Sequence, residues 1–419
     1  MKTQQCLYLL DSRSRTRAVG STAEKSTTKE IMKASSVLQL FLEVAAKASE
    51  IATVIRKERA LLNLLVEEKP EVRKNHQFFQ DFKTLADVLI QETVRHFISQ
   101  KIPNLGDSIY GEESNSFTNI KGDTIIVEVC HKQEETTDLL KKILDGNDEA
   151  AALLSEAIHN PPRINVSSET LDVEIDTSDC GVWIDPIDAT GQYIKGDIGV
   201  EDENGITGDG LQCVAILIGM FQKSSGRPLL GVVVQPFAQW NSGTKSWTST
   251  TVWGICHKKL QATSFQPSAI KGGTQPMIVM SKSESEHVHN ALSSKYKLIS
   301  ASGAGYKILI TVMGLANAYV LSHQSIYRWD CCALHAILLA LGGGIVSYKH
   351  AVEMASKSQV QLTASDLENL QLNYMKAAGA IASRRCSLPN SAESLPGIIA
   401  YRSADDAITI LNLLKLIDL

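Results

Sequence analysis

The spacing of apolar residues in roughly the first third of the chain predicts helices. Between about residues 34 and 68 apolar side chains recur every three or four positions, which indicates one long amphipathic helix ended by Pro70. A second helix is predicted over about 84–100, and the segment 134–160 is helical apart from a break at Asp145-Gly146-Asn147. Short strands are predicted at about 109–114 and 124–130.

Beyond about residue 180 the pattern changes to short apolar runs, which indicate buried strands. The Ser- and Thr-rich segment 241–249 lies between two such runs and is predicted to be a hairpin tip. After a linker at 261–275, strands alternate with helices, which favours a layered α/β unit. Strands are predicted at 181–185, 210–220, 229–236, 250–256, 277–281, 297–300 and 318–322, and the later helices at 285–293, 305–313 and 331–341.

The composition of the chain is that of an ordinary globular protein. Of its 419 residues 44% are hydrophobic and 21% are charged, and the formal net charge of −5 offers no basic surplus for a nucleic-acid partner. No run of 18 apolar residues is present, so no membrane span is expected. Eight cysteines occur without a C-x-x-C pair, which favours free thiols in a reducing compartment and hence a cytoplasmic location.

The segment Asp185–Thr190 carries the first candidate chemistry. It follows the apolar run 181–184, so the end of a buried strand is predicted to lead into a turn. Pro186 fixes φ and removes a donor, which makes the turn rigid and lets its carbonyl groups point outward. Asp185 and Asp188 then present oxygen ligands that suit a hard cation such as Mg²⁺. A strand-ending β-turn with a solvated aspartate pair is the structural alternative.

Three further acidic sites lie where a regular element is predicted to begin or end. Asp81 and Asp87 flank the start of the second helix, Glu112-Glu113 follow a strand, and Asp330 starts a helix. Each alone is explained by helix capping or by a solvated loop. Together they supply the oxygen ligands that two divalent ions need for the hydrolysis of a phosphate monoester. The Gly303-Ala304-Gly305 loop, which opens a helix, would add backbone N–H donors for the phosphate.

These segments resemble the three motifs of the lithium-sensitive, Mg²⁺-dependent phosphatase superfamily, which includes the inositol monophosphatases, the fructose-1,6-bisphosphatases and the bisphosphate nucleotidases. The motifs are Glu112-Glu113, Trp183–Thr190 and Trp329–Ala333. The resemblance covers about residues 35–410 and is most specific for the branch that acts on inositol polyphosphates. Further similar stretches are 81–89, 110–119, 192–196, 210–219, 303–307 and 397–403.

The resemblance implies a fold and an activity. The expected fold is a layered αβαβα sandwich, α+β in its N-terminal part and α/β in its C-terminal part. The expected reaction is Mg²⁺-dependent, Li⁺-inhibited hydrolysis of the 1-phosphate of inositol 1,4-bisphosphate and inositol 1,3,4-trisphosphate by a metal-activated water. Two or more Mg²⁺ ions per active site, inositol phosphates as the partners and a monomeric protein are also implied. A 3′(2′),5′-bisphosphate nucleotidase with the same mechanism and an inactive metal or inositol-phosphate binding module are the alternatives.

The resemblance also assigns a role to individual residues. Asp185 would bridge two metal ions, and Ile187 would contribute its backbone carbonyl. Ala189 departs from the pattern, because relatives commonly carry Gly or Ser there. The implied metal ligands are Glu112, Glu113, Asp185, Ile187, Asp188 and Asp330, with Asp87 for lithium; the implied catalytic residues are Glu112, Asp87 and Thr190; and the implied substrate contacts are Asp188, Ala189, Thr190, Ser281, Lys282, Gly303, Ala304 and Lys307.

The domain organisation follows from these predictions. Residues 1–33 are polar and are expected to be a disordered N-terminal extension, with an organelle-targeting segment as the alternative because of Arg13, Arg15 and Arg17. Residues 34–265 are predicted to form an N-terminal α+β metal-binding domain. Residues 270–419 are predicted to form a C-terminal α/β domain that completes the active site.

Overall fold

Two mixed sheets and the helices around them make up the part of the chain that the computed structural model describes. The described residues are 29–57, 66–68, 82–118, 124–160, 171–265, 275–358, 360, 362–375 and 394–416. The predicted extension up to residue 28 and Asp81 lie outside these residues. The helices are α1 Ala34–Lys57, α2 Leu85–Lys101, α3 Gln133–Ile143, α4 Asp148–His159, α5 Thr190–Lys195, α6 Glu286–Ser293, α7 Ala304–Met313, α8 Arg328–Ala340, α9 Tyr348–Lys357, α10 Ala364–Asn369 and α11 Ala404–Leu414.

The first sheet has six strands in the order β12-β11-β10-β9-β8-β4. All neighbours are antiparallel except β4 and β8, which run parallel. The predicted hairpin tip lies between β10 and β11, as expected. The small strands and those of this sheet are β1 Ile31–Lys33, β2 Val66–Glu68, β3 Phe82–Thr84, β4 Ile109–Gly111, β5 Ser116–Thr118, β6 Thr124–Ile126, β7 Glu174–Asp176, β8 Cys180–Asp188, β9 Ala215–Gln222, β10 Pro228–Asn241, β11 Ser246–His257 and β12 Leu260–Thr263.

The second sheet has five strands in the order β14-β13-β15-β19-β17. Strands β14, β13 and β15 are parallel, as the alternation of strands and helices predicted, whereas β19 runs antiparallel to both of its neighbours. The strands in this half are β13 Met277–Met280, β14 Lys297–Ser300, β15 Ala318–Leu321, β16 Ile326–Tyr327, β17 Gly344–Ser347, β18 Ser394–Leu395 and β19 Ile398–Tyr401.

The elements stack in five layers, which confirms the expected αβαβα sandwich. Helices α1 and α2 cover the outer face of the first sheet, and α7 and α8 lie between the two sheets. Helices α6, α9 and α11 cover the outer face of the second sheet. Three buried apolar clusters fill the spaces between these layers. No helix of the described part combines the length and the apolar character needed to span a bilayer.

A row of three glycines sets how closely α8 approaches the first sheet. Gly231 on β10 pairs with Gly219 on β9 and with Gly254 on β11, so the three share one line across the sheet. A Cβ atom at Gly231 would lie 1.9 Å from the carbonyl oxygen of Ala333, and one at Gly219 would lie 2.4 Å from the nitrogen of Ala333. The helix backbone therefore rests directly on the sheet backbone, and this contact fixes the position of α8 against the sheet.

The structure differs from the sequence predictions at several places. The predicted linker over 261–275 begins inside strand β12, and β11 takes up 246–249 of the predicted hairpin tip. Of the predicted helix over 34–68, residues 34–57 form α1, whereas Val66–Glu68 form a strand that pairs with β3. Ile31–Lys33, which were expected to be disordered, form a strand because they pair with Glu174–Asp176. Strand β8 does not end before the aspartate pair but continues to Asp188. Tertiary pairing, which local propensity does not contain, decides the conformation at each of these places.

Candidate active site

Three buried aspartates converge at the inner end of β8. Asp185 and Asp188 come from the strand itself, and Asp330 comes from the first turn of α8. Each offers a carboxylate oxygen, and these three oxygens all lie within 4.8 Å of one another. The register of β8 against β9 shifts between Asp185 and Asp188, so a β-bulge replaces the predicted turn. The bulge allows both aspartates to face the same side, which regular strand alternation over three positions would not allow.

The charges of these side chains are balanced only in part by the nearby ammonium group of Lys307. Burial raises the pKa of Asp185 well above its ordinary value, and the carboxylates of Glu112, Asp330 and Asp188 raise it further. Burial, followed by the charge of Asp188, raises the pKa of Asp330 to about 7. The Oδ1 atom of Asp185 is buried and has no hydrogen-bond partner among the described residues. Buried carboxylates with an unused oxygen are what a hard divalent cation requires, so the donor set fits Mg²⁺.

Asp188 is held in place by the N-terminus of α7. The backbone nitrogen of Ala304 donates to Oδ1 of Asp188 and that of Tyr306 donates to Oδ2, both at 2.9 Å. These donors oppose the rise in pKa that burial imposes on Asp188. The sequence predicted that this Gly-rich opening would donate to a phosphate; in the structure its donors bind a carboxylate of the acidic cluster instead. Gly303 permits the approach, because a Cβ atom there would lie 2.5 Å from Oδ2 of Asp188.

The acidic cluster lies on the wall of a cavity of about 390 Å³. The cavity brings together residues from β8, α5, α7, α8 and the loop after β13. Twelve of the residues that the resemblance singled out line it: Glu112, Asp185, Ile187, Asp188, Ala189, Thr190, Ser281, Lys282, Gly303, Ala304, Lys307 and Asp330.

Asp87 and Glu113 are buried but do not line this cavity. Asp87 closes a capping box at the start of α2, where its Oδ2 accepts hydrogen bonds from the nitrogen and the hydroxyl of Thr84 at 2.7 and 2.6 Å. Its Oδ1 lies 3.5 Å from the Thr190 hydroxyl, which donates at 2.9 Å to the carbonyl of Ile187. The side chain of Gln91 forms two hydrogen bonds with the backbone of Glu113. Its Nε2 donates to the carbonyl oxygen of Glu113, and its Oε1 accepts from the nitrogen of Glu113. Both residues therefore support the segments that carry cavity residues.

Ala189 has a left-handed backbone, with φ 66° and ψ 43°. This conformation disfavours residues with a Cβ atom, so Gly would adopt it with less strain than Ala. Ala189 precedes α5 and its carbonyl accepts hydrogen bonds from the nitrogens of Gln192 and Tyr193 at 2.8 and 3.1 Å. The strained residue thus links the end of β8 to the start of α5, and it places Thr190 beside the acidic cluster.

Lys307 is the buried cation that faces the acidic cluster. Its Nζ donates to the carbonyl oxygens of Gly303 at 2.6 Å and Ala301 at 3.2 Å. Burial lowers the pKa of Lys307, whereas the charges of Asp188 and Asp330 raise it. A single ammonium group balances only part of the negative charge of Glu112, Asp185, Asp188 and Asp330.

Several cavity residues carried little signal in the sequence. Gln192 and Ser302 lie on the wall, and their hydrogen bond of 3.2 Å joins α5 to the loop before α7. The rings of Tyr327 and Trp329 also line it and are stacked, with centroids 4.6 Å apart at an interplanar angle of 7°. Trp329 belongs to a motif and Gln192 to the similar stretch 192–196, whereas Ser302 and Tyr327 are recognisable only once the loops are packed together.

The chain is similar to several known proteins. Residues 35–388 match the model of the inositol monophosphatase family. The chain is 39% identical over 394 residues to inositol polyphosphate 1-phosphatase of Mus musculus, with 90% of this chain and 96% of the relative covered. It is 25% identical over 308 residues to 3′(2′),5′-bisphosphate nucleotidase 1 of Mus musculus, with 73% and 80% covered. A solved inositol monophosphatase from Zymomonas mobilis aligns over 91% of this chain and 98% of its own at 14% identity and a TM-score of 0.46.

Proposed function

We propose, from the premise that the chain belongs to the inositol monophosphatase family, that it is a Mg²⁺-dependent and Li⁺-inhibited inositol polyphosphate phosphatase. The family and the similar relatives make it a phosphoric monoester hydrolase that acts on inositol phosphates. The proposed substrates are inositol 1,4-bisphosphate and inositol 1,3,4-trisphosphate, and the proposed bond is that of the 1-phosphate. The relatives of high identity and coverage carry this activity in their names.

One observation supports the metal requirement more than any other. The cavity wall carries three buried aspartates with oxygens within 4.8 Å of one another, and Oδ1 of Asp185 has no hydrogen-bond partner among the described residues. Burying like charges together is unfavourable unless a cation compensates them. Asp185, Asp188, Asp330, Glu112 and the Ile187 carbonyl are the groups that would hold Mg²⁺. When bound, it would neutralise charge on the phosphate oxygens and lower the pKa of a water molecule.

The residues of the chain itself would position and deprotonate the attacking water. The Thr190 hydroxyl donates its proton to the carbonyl of Ile187 at 2.9 Å, so its oxygen lone pairs are directed away from that bond. An attacking water would donate to this oxygen and would be oriented by it. Glu112 lines the same cavity, and its carboxylate would accept the second proton of the water. We assign orientation to Thr190 and proton acceptance to Glu112.

Cationic and hydroxyl groups elsewhere on the wall would hold the rest of the substrate. Ser281 and Lys282 follow β13 and line the cavity, and the ammonium group of Lys282 is exposed to solvent. An exposed ammonium group suits a phosphate that is not being hydrolysed. Lys307 lies deeper and would act on the phosphate near the acidic cluster.

The central experiment is phosphate release from a panel of substrates by purified protein. The panel contains inositol 1-phosphate, inositol 1,4-bisphosphate, inositol 1,3,4-trisphosphate and adenosine 3′,5′-bisphosphate, each with and without Mg²⁺ and Li⁺. The highest kcat/KM is expected for the two inositol polyphosphates, with activity that requires Mg²⁺ and falls in Li⁺. Full activity in a chelator would contradict the metal assignment. Absence of phosphate release from every compound would favour a binding module over an enzyme.

A nucleotidase is the second candidate, and one structural observation favours it. The stacked rings of Tyr327 and Trp329 on the cavity wall offer a flat aromatic surface of the kind that binds a nucleobase. A higher kcat/KM for adenosine 3′,5′-bisphosphate than for inositol 1,4-bisphosphate would establish this alternative. The Tyr327→Leu variant sharpens the comparison, because it should lower nucleotide turnover selectively if the ring holds a base.

A further inference from the structure

A row of four hydrogen-bonded polar side chains crosses the wall of the cavity. The amide nitrogen of Gln192 donates to the hydroxyl of Ser302 at 3.2 Å, and that hydroxyl donates to Oδ1 of Asp209 at 2.6 Å. The other oxygen of Asp209, Oδ2, accepts from the ammonium group of Lys282 at 2.8 Å. Gln192, Ser302 and Lys282 line the cavity, whereas Asp209 is exposed and does not line it.

Close backbone packing fixes the loop that carries Asp209. A Cβ atom at Gly199 would lie 2.1 Å from the carbonyl oxygen of Asp209, and one at Gly210 would lie 2.5 Å from the nitrogen of Gly199. The side chain of Gln212 holds the same two segments together. It accepts a hydrogen bond from the backbone nitrogen of Gly199 at 2.9 Å and donates one to the carbonyl oxygen of Gly199 at 3.0 Å. The carboxylate of Asp209 is therefore presented from a rigid support.

Asp209 reduces the capacity of this wall to bind anions in three ways. It occupies one of the three donors of the Lys282 ammonium group, and it takes the single hydroxyl proton of Ser302. It also adds a negative charge beside the cavity. The hydrogen bonds from Lys282 and Ser302 hold the pKa of Asp209 below its ordinary value, so this charge persists at neutral pH.

We propose that Asp209 is a specificity-determining residue that pairs with Lys282 and Ser302 and thereby weakens the binding of the most highly phosphorylated inositol phosphates. A ligand with more phosphate groups experiences more repulsion from the carboxylate and finds fewer free donors on the wall. Release of a product that still carries phosphate is favoured by the same effect. This inference rests on the proposed function, because it concerns the phosphates that the reaction leaves in place.

The test measures how the Asp209→Asn variant changes binding as a function of substrate charge. Its KM for inositol 1,3,4-trisphosphate should fall about threefold, the effect of one exposed charge pair, and KM for inositol 1-phosphate should stay unchanged. The gain should shrink as salt is added, since exposed charges are screened. Calorimetric Kd values for the same compounds should follow the same order, and they do not depend on turnover.

Two further variants separate this role from a structural one. The Asp209→Glu variant keeps the charge and should resemble the wild type, whereas Asp209→Asn in a Lys282→Met background should give a much smaller gain. Equal changes in KM for inositol 1,3,4-trisphosphate and inositol 1-phosphate would overturn the proposal. Weaker binding of the trisphosphate by Asp209→Asn, with an unchanged melting temperature, would overturn it as well. If the wild type binds these compounds but releases no phosphate, the proposed function is contradicted, and the Kd comparison alone decides the role of Asp209. If the wild type binds none of them, both the proposed function and the role of Asp209 are refuted.

Discussion

The carboxylate of Asp188 lies at the N-terminus of α7, where its Oδ2 atom accepts a hydrogen bond from the backbone nitrogen of Tyr306 at 2.9 Å. Asp188 ends a strand of the first sheet, and α7 packs against strands of the second sheet. The bond therefore joins the two sheets at the acidic cluster. A helix N-terminus stabilises a carboxylate, so this contact favours the charged form that a metal ligand needs.

We expect the Asp185→Asn variant to lose activity while gaining stability in the absence of metal. Loss of a proposed metal ligand should lower kcat/KM by on the order of a hundredfold or more. Removing one buried like charge should raise the free energy of unfolding of the metal-free protein by about 1 kcal/mol or more. Assays of phosphate release measure the first effect, and urea unfolding with and without Mg²⁺ measures the second. The stabilisation by Mg²⁺ that we expect for the wild type should be absent in the variant.

The Asp172→Asn variant is the matched control for Asp185→Asn. Asp172 is exposed and pairs with Lys33 at 2.8 Å, away from the cavity. Its removal should leave turnover and the effect of Mg²⁺ unchanged. Wild-type turnover in Asp185→Asn would refute the assignment of Asp185 as a metal ligand.

Replacing Ala189 by Gly should relieve backbone strain. The left-handed conformation at φ 66° costs Ala about 1–2 kcal/mol, and the greater freedom of unfolded Gly offsets part of the gain. The free energy of unfolding should rise by about 0.5–1 kcal/mol with hydrolysis retained. Ala189→Val should instead lower both stability and kcat, since a β-branched residue fits this conformation poorly.

The Lys245→Gly variant separates strain relief from effects on the site. Lys245 also has a positive φ, of 52°, but lies between β10 and β11 outside the cavity. The Lys245→Gly variant should have a higher free energy of unfolding than the wild type and an unchanged KM. A fall in stability for Ala189→Gly, measured by thermal unfolding, would mean that the methyl group makes contacts that outweigh the strain.

A methyl group in the glycine row should displace α8. In Gly231→Ala the new Cβ atom would meet the carbonyl oxygen of Ala333 at 1.9 Å, so sheet and helix must separate. We expect a loss of about 3 kcal/mol in the free energy of unfolding and weaker Mg²⁺ binding, because α8 carries Asp330. Calorimetric titration with Mg²⁺ and urea unfolding measure the two effects. Gly243→Ala, where the nearest atom is the Asn241 Oδ1 at 3.3 Å, should change neither.

Lys47 should make stability depend on pH in the alkaline range. Its Nζ donates to the carbonyl of Ile158 and lies 4.1 Å from the centroid of the Phe97 ring, and burial lowers its pKa to about 8. Between that value and the ordinary value of 10.5 the unfolded chain binds the proton and the folded protein does not. The free energy of unfolding that depends on Lys47 is therefore highest above pH 10.5, and it is lost as the pH falls from there through about 8.

The comparison of wild type with Lys47→Met isolates this effect. The free energy of unfolding of the wild type relative to the variant should rise by up to about 1.4 kcal/mol per pH unit above pH 8. The difference cancels the opposite contribution of buried thiols such as Cys180, whose pKa burial raises to about 12. Lys101→Met, which removes an exposed lysine, should show no such difference. A wild type and Lys47→Met with parallel pH profiles would contradict the lowered pKa.

Tyr374 and His335 form a buried hydrogen bond whose loss should destabilise the protein. Burial lowers the pKa of His335 to about 3, so its ring is neutral. Its Nε2 lies 2.8 Å from Oε1 of Gln371, which can only accept; Nδ1 must therefore accept from the Tyr374 hydroxyl at 3.0 Å. Tyr374→Phe leaves that nitrogen unsatisfied and should cost about 1–3 kcal/mol.

Tyr401→Phe is the control for this prediction. The Tyr401 hydroxyl accepts from Nε2 of Gln371 at 2.7 Å, and that amide keeps a second acceptor, the Leu367 carbonyl at 3.1 Å. The loss in urea unfolding should therefore be smaller than for Tyr374→Phe. Equal losses would show that the His335 bond adds nothing specific.

Local patterns predicted most elements of the fold and the identity of the clustered acids. The predicted break at Asp145-Gly146-Asn147 separates α3 from α4. The predicted alternation of strands and helices after residue 275 is present in the second sheet, where β13, β14 and β15 are parallel. The six cysteines among the described residues are free thiols, as expected. The strand at Val66–Glu68 was mistaken for helix because its conformation depends on pairing with Phe82–Thr84, a contact that helical spacing cannot represent.

The sequence by itself determined which oxygen ligands are present and that Asp185, Asp188 and Asp330 stand at the ends of regular elements. Only the tertiary structure decided that the β8 bulge turns two of them to one side and that the glycine row brings the third within 4.8 Å. It also decided that Asp209 pairs with Lys282. The physical reason is that propensity and periodicity act over a few residues. Distances between carboxylates on separate elements depend on how sheets and helices pack, and one methyl group in that contact is enough to change them.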